Sequence, residues 1–206
     1  ILLNNLGRPE EALEAYEQAL DVNPTDTETL INLGITLDSL GRVDEALDAY
    51  EEALSINPLH GEALFNLGVT LERDERLEAA VDAFERCTDV YPEHPEVWYE
   101  LGYCYDRLGA DEKSVEAYDN HLDIDPYSQD AWYNRGIVLN RLGRFEEAVE
   151  SYDMALAIHD EFASAYYNRG NAQANLGDLD DAIESYERVL ELEGPDAATY
   201  YNLALA

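Results

Sequence analysis

Apolar residues recur along this chain with a helical rhythm, and the rhythm is interrupted at fixed intervals. Proline stands at Pro24, Pro58, Pro92 and Pro126, and glycine at Gly34, Gly68, Gly102, Gly136 and Gly170; both series step by 34 residues. A second glycine series, Gly7, Gly41, Gly109, Gly143 and Gly177, keeps the same period, with Glu75 as its exception. Self-similarity at a period of this size marks an array of small supersecondary units. With residue 27 as position 1, the spacing predicts a first helix over positions 2 to 14 and a turn at the second glycine. A second helix then runs to the proline at position 32, which cannot continue a helix and disfavours α geometry in the residue before it. Five complete units follow, 27–60, 61–94, 95–128, 129–162 and 163–196, flanked by partial units 1–26 and 197–206. No linker composition interrupts 1–206, so the expectation is a single array.

Small and large residues alternate in register. Position 8 is glycine, which lets the two helices of a unit approach closely. Position 20 is Ala46, Ala80, Ser114, Ala148 and Ala182, also small. Position 24 is aromatic throughout: Tyr16, Tyr50, Phe84, Tyr118, Tyr152 and Tyr186. Large-into-small packing of this kind requires volume to be kept at both places.

On these residues the sequence resembles the tetratricopeptide repeat (TPR). That pattern has a bulky residue at position 4, Leu at 7, Gly at 8, Tyr at 11, Ala at 20, an aromatic at 24, Ala at 27 and Pro at 32. The unit 95–128 presents Trp98, Leu101, Gly102, Tyr105, Ser114, Tyr118, His121 and Pro126, of which Ser114 and His121 depart. Arg135 and Arg169 replace Leu at position 7, and Asp160 and Gly194 replace the last two prolines. Such departures suggest local looseness in the same fold. The resemblance covers the whole chain. It implies an all-α, right-handed α-solenoid (superhelix) of 34-residue helix-turn-helix hairpins, whose first helices line a concave groove.

Rotation by 100° per residue puts positions 3, 4, 7, 8, 10, 11 and 14 of the first helix on one side and 2, 5, 6, 9, 12 and 13 on the other. The second set faces the groove that the resemblance implies. Position 6 is Asn32, Asn66, Glu100, Asn134, Asn168 and Asn202. Position 5 is Ile31, Phe65, Tyr99, Tyr133, Tyr167 and Tyr201, and position 9 carries Tyr103. Position 13 is Ser39, Arg73, Arg107, Arg141 and Asn175.

A side-chain amide donates and accepts as a peptide group does, so a column of asparagines suits an extended backbone of any sequence. It is similar to the asparagine ladders of armadillo repeats. The competing reading has each amide bonding to the next repeat and supporting the stack. The aromatic column suits ligand side chains or a cation, or else packing along the groove wall. The arginine column suits a ligand carboxylate, or else neutralises the acids at position 12, Asp38, Glu72 and Asp106. TPRs that clamp a carboxyl terminus use lysines at positions 2 and 5, where this chain has acids and aromatics, so that clamp is absent.

Charge sharpens the picture. The chain has 206 residues, 46 Asp and Glu against 12 Lys and Arg, and a formal net charge of −34. Lys113 is its lone lysine. An acidic field of this size repels nucleic acid and anionic lipid and favours basic partners. With lysine so scarce, it also fits the cytoplasm of a salt-accumulating halophile. No apolar run is long enough to span a bilayer. The chain starts with Ile1, so it reads as a fragment of a longer protein.

Candidate chemistry is sparse. Cys87 and Cys104 fall on core positions and have no metal or redox spacing. His60 and His94 lie one repeat apart, too far to share a zinc ion. Acid runs such as Asp178 to Asp181 lack the glycine and distal glutamate of a calcium loop. No phosphate loop or nucleophile motif is present. The expectation is a non-catalytic scaffold without cofactor or metal, binding an extended peptide or protein segment in the groove. Self-association through uncapped ends and a regulatory role beside an enzyme domain are the alternatives.

Overall fold

A computed structural model describes residue 3 and residues 6–206 of the chain. Among the described residues there are twelve helices and no strand. The chain divides into two compact units, Ile1–Leu108 and Gly109–Ala206. The first holds α1 (Pro9–Val22), α2 (Thr27–Ser39), α3 (Val43–Ile56), α4 (Gly61–Arg73), α5 (Leu77–Val90) and α6 (Pro95–Arg107). The second holds α7 (Asp111–Ile124), α8 (Gln129–Arg141), α9 (Phe145–Ile158), α10 (Ala163–Leu176), α11 (Leu179–Glu193) and α12 (Ala197–Leu205). Complete first helices occupy positions 1 to 13 or 14, one residue earlier than the spacing predicts. The start of the partial unit expected at 1–26 lies largely outside the described residues.

Each complete hairpin forms for the same local reasons. Acids crowd the first turn of the second helices, Asp44 and Glu45 in α3 and Glu146 and Glu147 in α9, where the helix dipole favours negative charge. The turn between the helices needs a left-handed residue, and Gly41, Gly143 and Gly177 have φ of 74°, 75° and 87°. Glu75 takes the same turn with φ of 61° despite its side chain, a conformation that costs a non-glycine residue about 1–2 kcal/mol. Side-chain caps are few: Ser128 Oγ accepts from Ala131 N, and an Asp196 carboxylate oxygen accepts from Thr199 N.

The core of each unit is a stack of aromatic rings set into glycine gaps. Tyr50 and Phe84 in the first unit, and Tyr152 and Tyr186 in the second, are at most 1% exposed. A Cβ placed on Gly34 would lie 2.5 Å from the Tyr50 ring, and one on Gly136 2.6 Å from Tyr152. Within each unit a helix packs on its neighbours in sequence, and first helices also touch the first helix of the next repeat: α2 on α4, α4 on α6, α8 on α10. Among the described residues no two second helices pack as closely within a unit. The first-helix faces are thus closely juxtaposed, while shallow clefts open between second helices.

Cys87 and Cys104 are free and buried. Burial pushes the Cys87 thiol up to about 11, and burial followed by the charge of Glu72 pushes Cys104 up to about 12. Among the described residues no helix is long and apolar enough to cross a membrane, and no group of three or more His, Cys, Asp or Glu side chains is arranged to hold a metal ion.

Candidate functional site

The first-helix face expected to carry the site is at least partly exposed in both units, with one buried departure. Ile31, at position 5 of its repeat, is only 2% exposed and belongs to the core. Tyr201 is exposed, and the remaining position-5 side chains are half-buried; Phe65, Tyr133 and Tyr167 set their rings against the second helix of their own repeat. Phe65 packs on Phe84 at 6.1 Å and on His94 at 5.5 Å between centroids. Tyr133 meets Tyr152 at 6.0 Å and Phe162 at 4.6 Å, and Tyr167 meets Tyr186 at 6.0 Å. Tyr99 is likewise half-buried.

The asparagines do two different things. Asn32 and Asn66 turn back on their own helices, each Nδ2 donating to a backbone carbonyl four residues earlier, Glu28 at 2.8 Å and Glu62 at 2.9 Å. Their Oδ1 atoms accept no hydrogen bond among the described residues. In the second unit the amide crosses between repeats. Asn168 Nδ2 donates to Tyr133 Oη and Asn202 Nδ2 to Tyr167 Oη, both at 3.0 Å. Asn202 Nδ2 also donates to Asn171 Oδ1, which accepts from Tyr186 Oη at 2.9 Å. Rings and amides are therefore one linked column here, not two separate ones. Asn134 is half-buried on the same face.

Glu100 occupies the asparagine position in its repeat. Burial, and then the charge of Glu72, push its carboxyl above the ordinary range, because both disfavour the ionised form.

The three arginines at position 13 are already engaged. Arg73 forms a two-pronged bond to Asp38 at 2.8 and 3.0 Å. Arg141 does the same to Asp111 at 2.6 and 3.0 Å. Arg107 bonds Glu75 at 2.5 Å and donates to Tyr103 Oη at 3.0 Å. Only Arg73 uses a position-12 acid among these bonds.

The face opens most clearly at a cleft of about 240 Å³ in the second unit. Tyr133, Ser164, Tyr167 and Asn168 form its polar and aromatic side, and Glu193 and Asp196 its acidic side.

The sequence reading missed what the position-7 arginines do. Arg135 donates to Asp119 on α7 and to Ser151 on α9, both at 2.6 Å. Arg169 repeats the pattern with Asp153 at 2.6 Å and Ser185 at 3.1 Å. They also lie over Trp132 at 5.7 Å and Tyr166 at 5.0 Å. These repeats are not loosened by the loss of leucine; an ion pair and an aromatic contact replace it. The signal was present at position 23, where Ser151 and Ser185 stand in place of Ala49, Ala83 and Ala117.

The fold and its 34-residue register agree with independent comparisons. Profiles of the tetratricopeptide repeat match residues 31–89 and 79–129, 1–58 and 163–194, and a TPR-repeat profile matches 138–177. The chain belongs to the tetratricopeptide-repeat family. Its fold is accordingly the all-α fold of TPR solenoid proteins.

Among solved structures, this TPR chain is similar to YrrB, described as a TPR protein with an unusual peptide-binding site. The TM-score is 0.85 at 22% identity, covering 94% of this chain and 100% of that one. A MamA crystal structure matches with TM-score 0.78 at 24% identity, over 81% of this chain and 91% of the other. PilF of Pseudomonas aeruginosa matches with TM-score 0.74 at 17% identity, over 99% and 93%. At these identities the likeness shows the fold. No curated protein sequence matches the chain.

Proposed function

We propose that this TPR chain is a non-catalytic interaction scaffold that binds an extended, basic segment of another protein along the exposed face of its first helices. The observation that carries the reading is the cleft lined by Tyr133, Tyr167 and Asn168 on one side and by Glu193 and Asp196 on the other. Rings give flat apolar contact, amide oxygens accept from a peptide backbone, and the acids suit a lysine or arginine side chain. The Oδ1 atoms of Asn32 and Asn66 offer the same acceptor in the first unit. First helices of adjacent repeats pack at a spacing of roughly 10 Å and an extended chain advances about 3.3 Å per residue. One rung then serves about three ligand residues.

Charge supports a basic partner. All eleven arginines of the chain have a carboxylate partner within the structure, so none stands ready for an acidic ligand. That YrrB is described as having a peptide-binding site supports the reading by analogy of fold. The acidic, lysine-poor composition supports a place in the cytoplasm of a salt-accumulating cell.

A phage-displayed library of random linear peptides, panned against the chain in molar KCl, tests the proposal. Selected peptides are expected to be enriched in Arg and Lys. Their affinity, read by fluorescence anisotropy, should fall several-fold on Asn66→Ala or Asn168→Ala, the scale of about 1 kcal/mol for a lost hydrogen bond, with helicity unchanged. Peptides whose affinity ignores both substitutions and Tyr167→Ala would remove the first-helix face as the site.

A further inference from the structure

A second surface, on the opposite side of the hairpins from the face just described, has a chemistry that the chain itself defines. Between α3 and α5 in the first unit lies a cleft of about 610 Å³, within the roughly 300–1,000 Å³ of ordinary ligand pockets. Its floor includes Leu67 of α4 and Ala83 of α5, and Glu51 of α3 stands on its wall. These residues occupy positions 7 and 23 of one repeat and position 25 of the repeat before.

In the second unit the same three positions are Arg135, Ser151 and Asp119. There the guanidinium bridges the carboxylate and the hydroxyl, both at 2.6 Å, with its side chain only 14% exposed. Arg169, Ser185 and Asp153 form a second copy of the arrangement. An arginine thus fills this place between second helices wherever position 7 supplies one. With Leu67 and Ala83 the place is empty of a cation, and the Glu51 carboxylate has no hydrogen bond or ion pair among the described residues. Leu67, the usual residue at position 7, supplies no internal cation, and beside this cleft it leaves the position-25 carboxylate of Glu51 open to a cation from elsewhere.

We infer that the cleft between α3 and α5 docks an arginine side chain presented by a partner protein, with Glu51 taking the guanidinium. The cleft favours arginine on three counts. Its lining acids, Asp44, Asp48, Glu51 and Asp82, outnumber its bases, Arg76 and Arg86, and both bases already have acid partners, Asp44 with Asp74 and Asp82. Leu47, Leu54, Leu67 and Leu71 give the floor apolar surface, against which the methylene stem of an arginine is buried. A planar guanidinium also matches a carboxylate edge better than a compact ammonium does. This inference is independent of the peptide face on the first helices, since the two share no residue.

The test records amide NMR shifts of the isotope-labelled full chain as the blocked tripeptide acetyl-Ala-Arg-Ala-amide is added, with acetyl-Ala-Gln-Ala-amide as the neutral control. Saturable shifts are expected at Leu54, Leu67 and Ala83 with the arginine peptide alone. Glu51→Gln should weaken them roughly tenfold, the scale of a lost charge-assisted hydrogen bond, whereas Glu146→Gln, which does not line the cleft, should not. Leu67→Arg combined with Ala83→Ser rebuilds the internal plug and should abolish them. Equal shifts with the neutral peptide, indifference to Glu51→Gln, or undiminished binding in the plugged and folded variant would each overturn the inference. If the plugged variant does not fold, the Glu51→Gln comparison decides.

Discussion

Gly34 sits mid-helix, where alanine would ordinarily be the better residue by about 1 kcal/mol. What decides against it is the Tyr50 ring, 2.5 to 2.9 Å from the missing Cβ and fully buried. Overpacking a core of this kind costs about 1–3 kcal/mol. Gly34→Ala should therefore lower stability in urea titrations despite its helix propensity. At Gly170 the nearest ring atoms are 2.8 to 3.1 Å away, so Gly170→Ala should also destabilise, but by less. Equal losses at the two sites would contradict this ranking.

Glu100 gives a pH prediction. Its folded-state carboxyl holds the proton more tightly than in the unfolded chain, so its charged form costs stability at neutral pH. That cost fades as pH falls toward the ordinary glutamate value. Glu100→Gln should raise the melting temperature at neutral pH, and the gain should shrink steadily as the buffer is acidified. A gain that grows on acidification would reverse the assigned sign.

Elements were legible in the sequence to the extent that their causes are local. Helix length, the glycine turns and the aromatic at position 24 each follow from residues within one repeat, and the helices formed within a residue of the expected bounds. Side-chain partners were less legible, because they depend on the repeat before or after. Asn168 looks the same as Asn66 in sequence, yet one bonds Tyr133 and the other its own backbone. Likewise the arginines at position 7 make sense only when Ser151 and Asp119, on two other helices, are considered together. The coupling can be measured. Arg135→Leu and Ser151→Ala should each destabilise alone, and the double variant, which reproduces the Leu67–Ala83 pair, should recover part of the loss. A coupling energy of about 0.5–3 kcal/mol is the normal range for residues in contact; strict additivity would mean the two do not act together.

For the molecule as a whole, charge dominates. With 46 acids and 12 bases, pairing every base with one acid still leaves 34 carboxylates without a cationic partner. Their mutual repulsion opposes the compact state and is relieved by salt, since the screening length falls from about 10 Å at 0.1 M to about 3 Å at 1 M. The melting temperature should rise steeply with KCl from low to molar concentration, and a melt indifferent to salt would show that repulsion is not limiting. The sequence announced this balance openly. It did not announce which acids face an empty cleft, because that depends on what its neighbours leave unfilled.

The bridge from Arg135 to Asp119 spans two adjacent repeats, and this limits how freely repeats can be shuffled. Excising residues 95–128 as a block would bring Glu85 to the place of Asp119, a longer side chain in place of a shorter one. Grafting the repeat that begins at 129 behind a foreign neighbour would strand its guanidinium unless that neighbour carries an acid at the matching position. Recombination of these modules is therefore order-dependent, and the smallest transferable piece here is a repeat together with the second helix that precedes it.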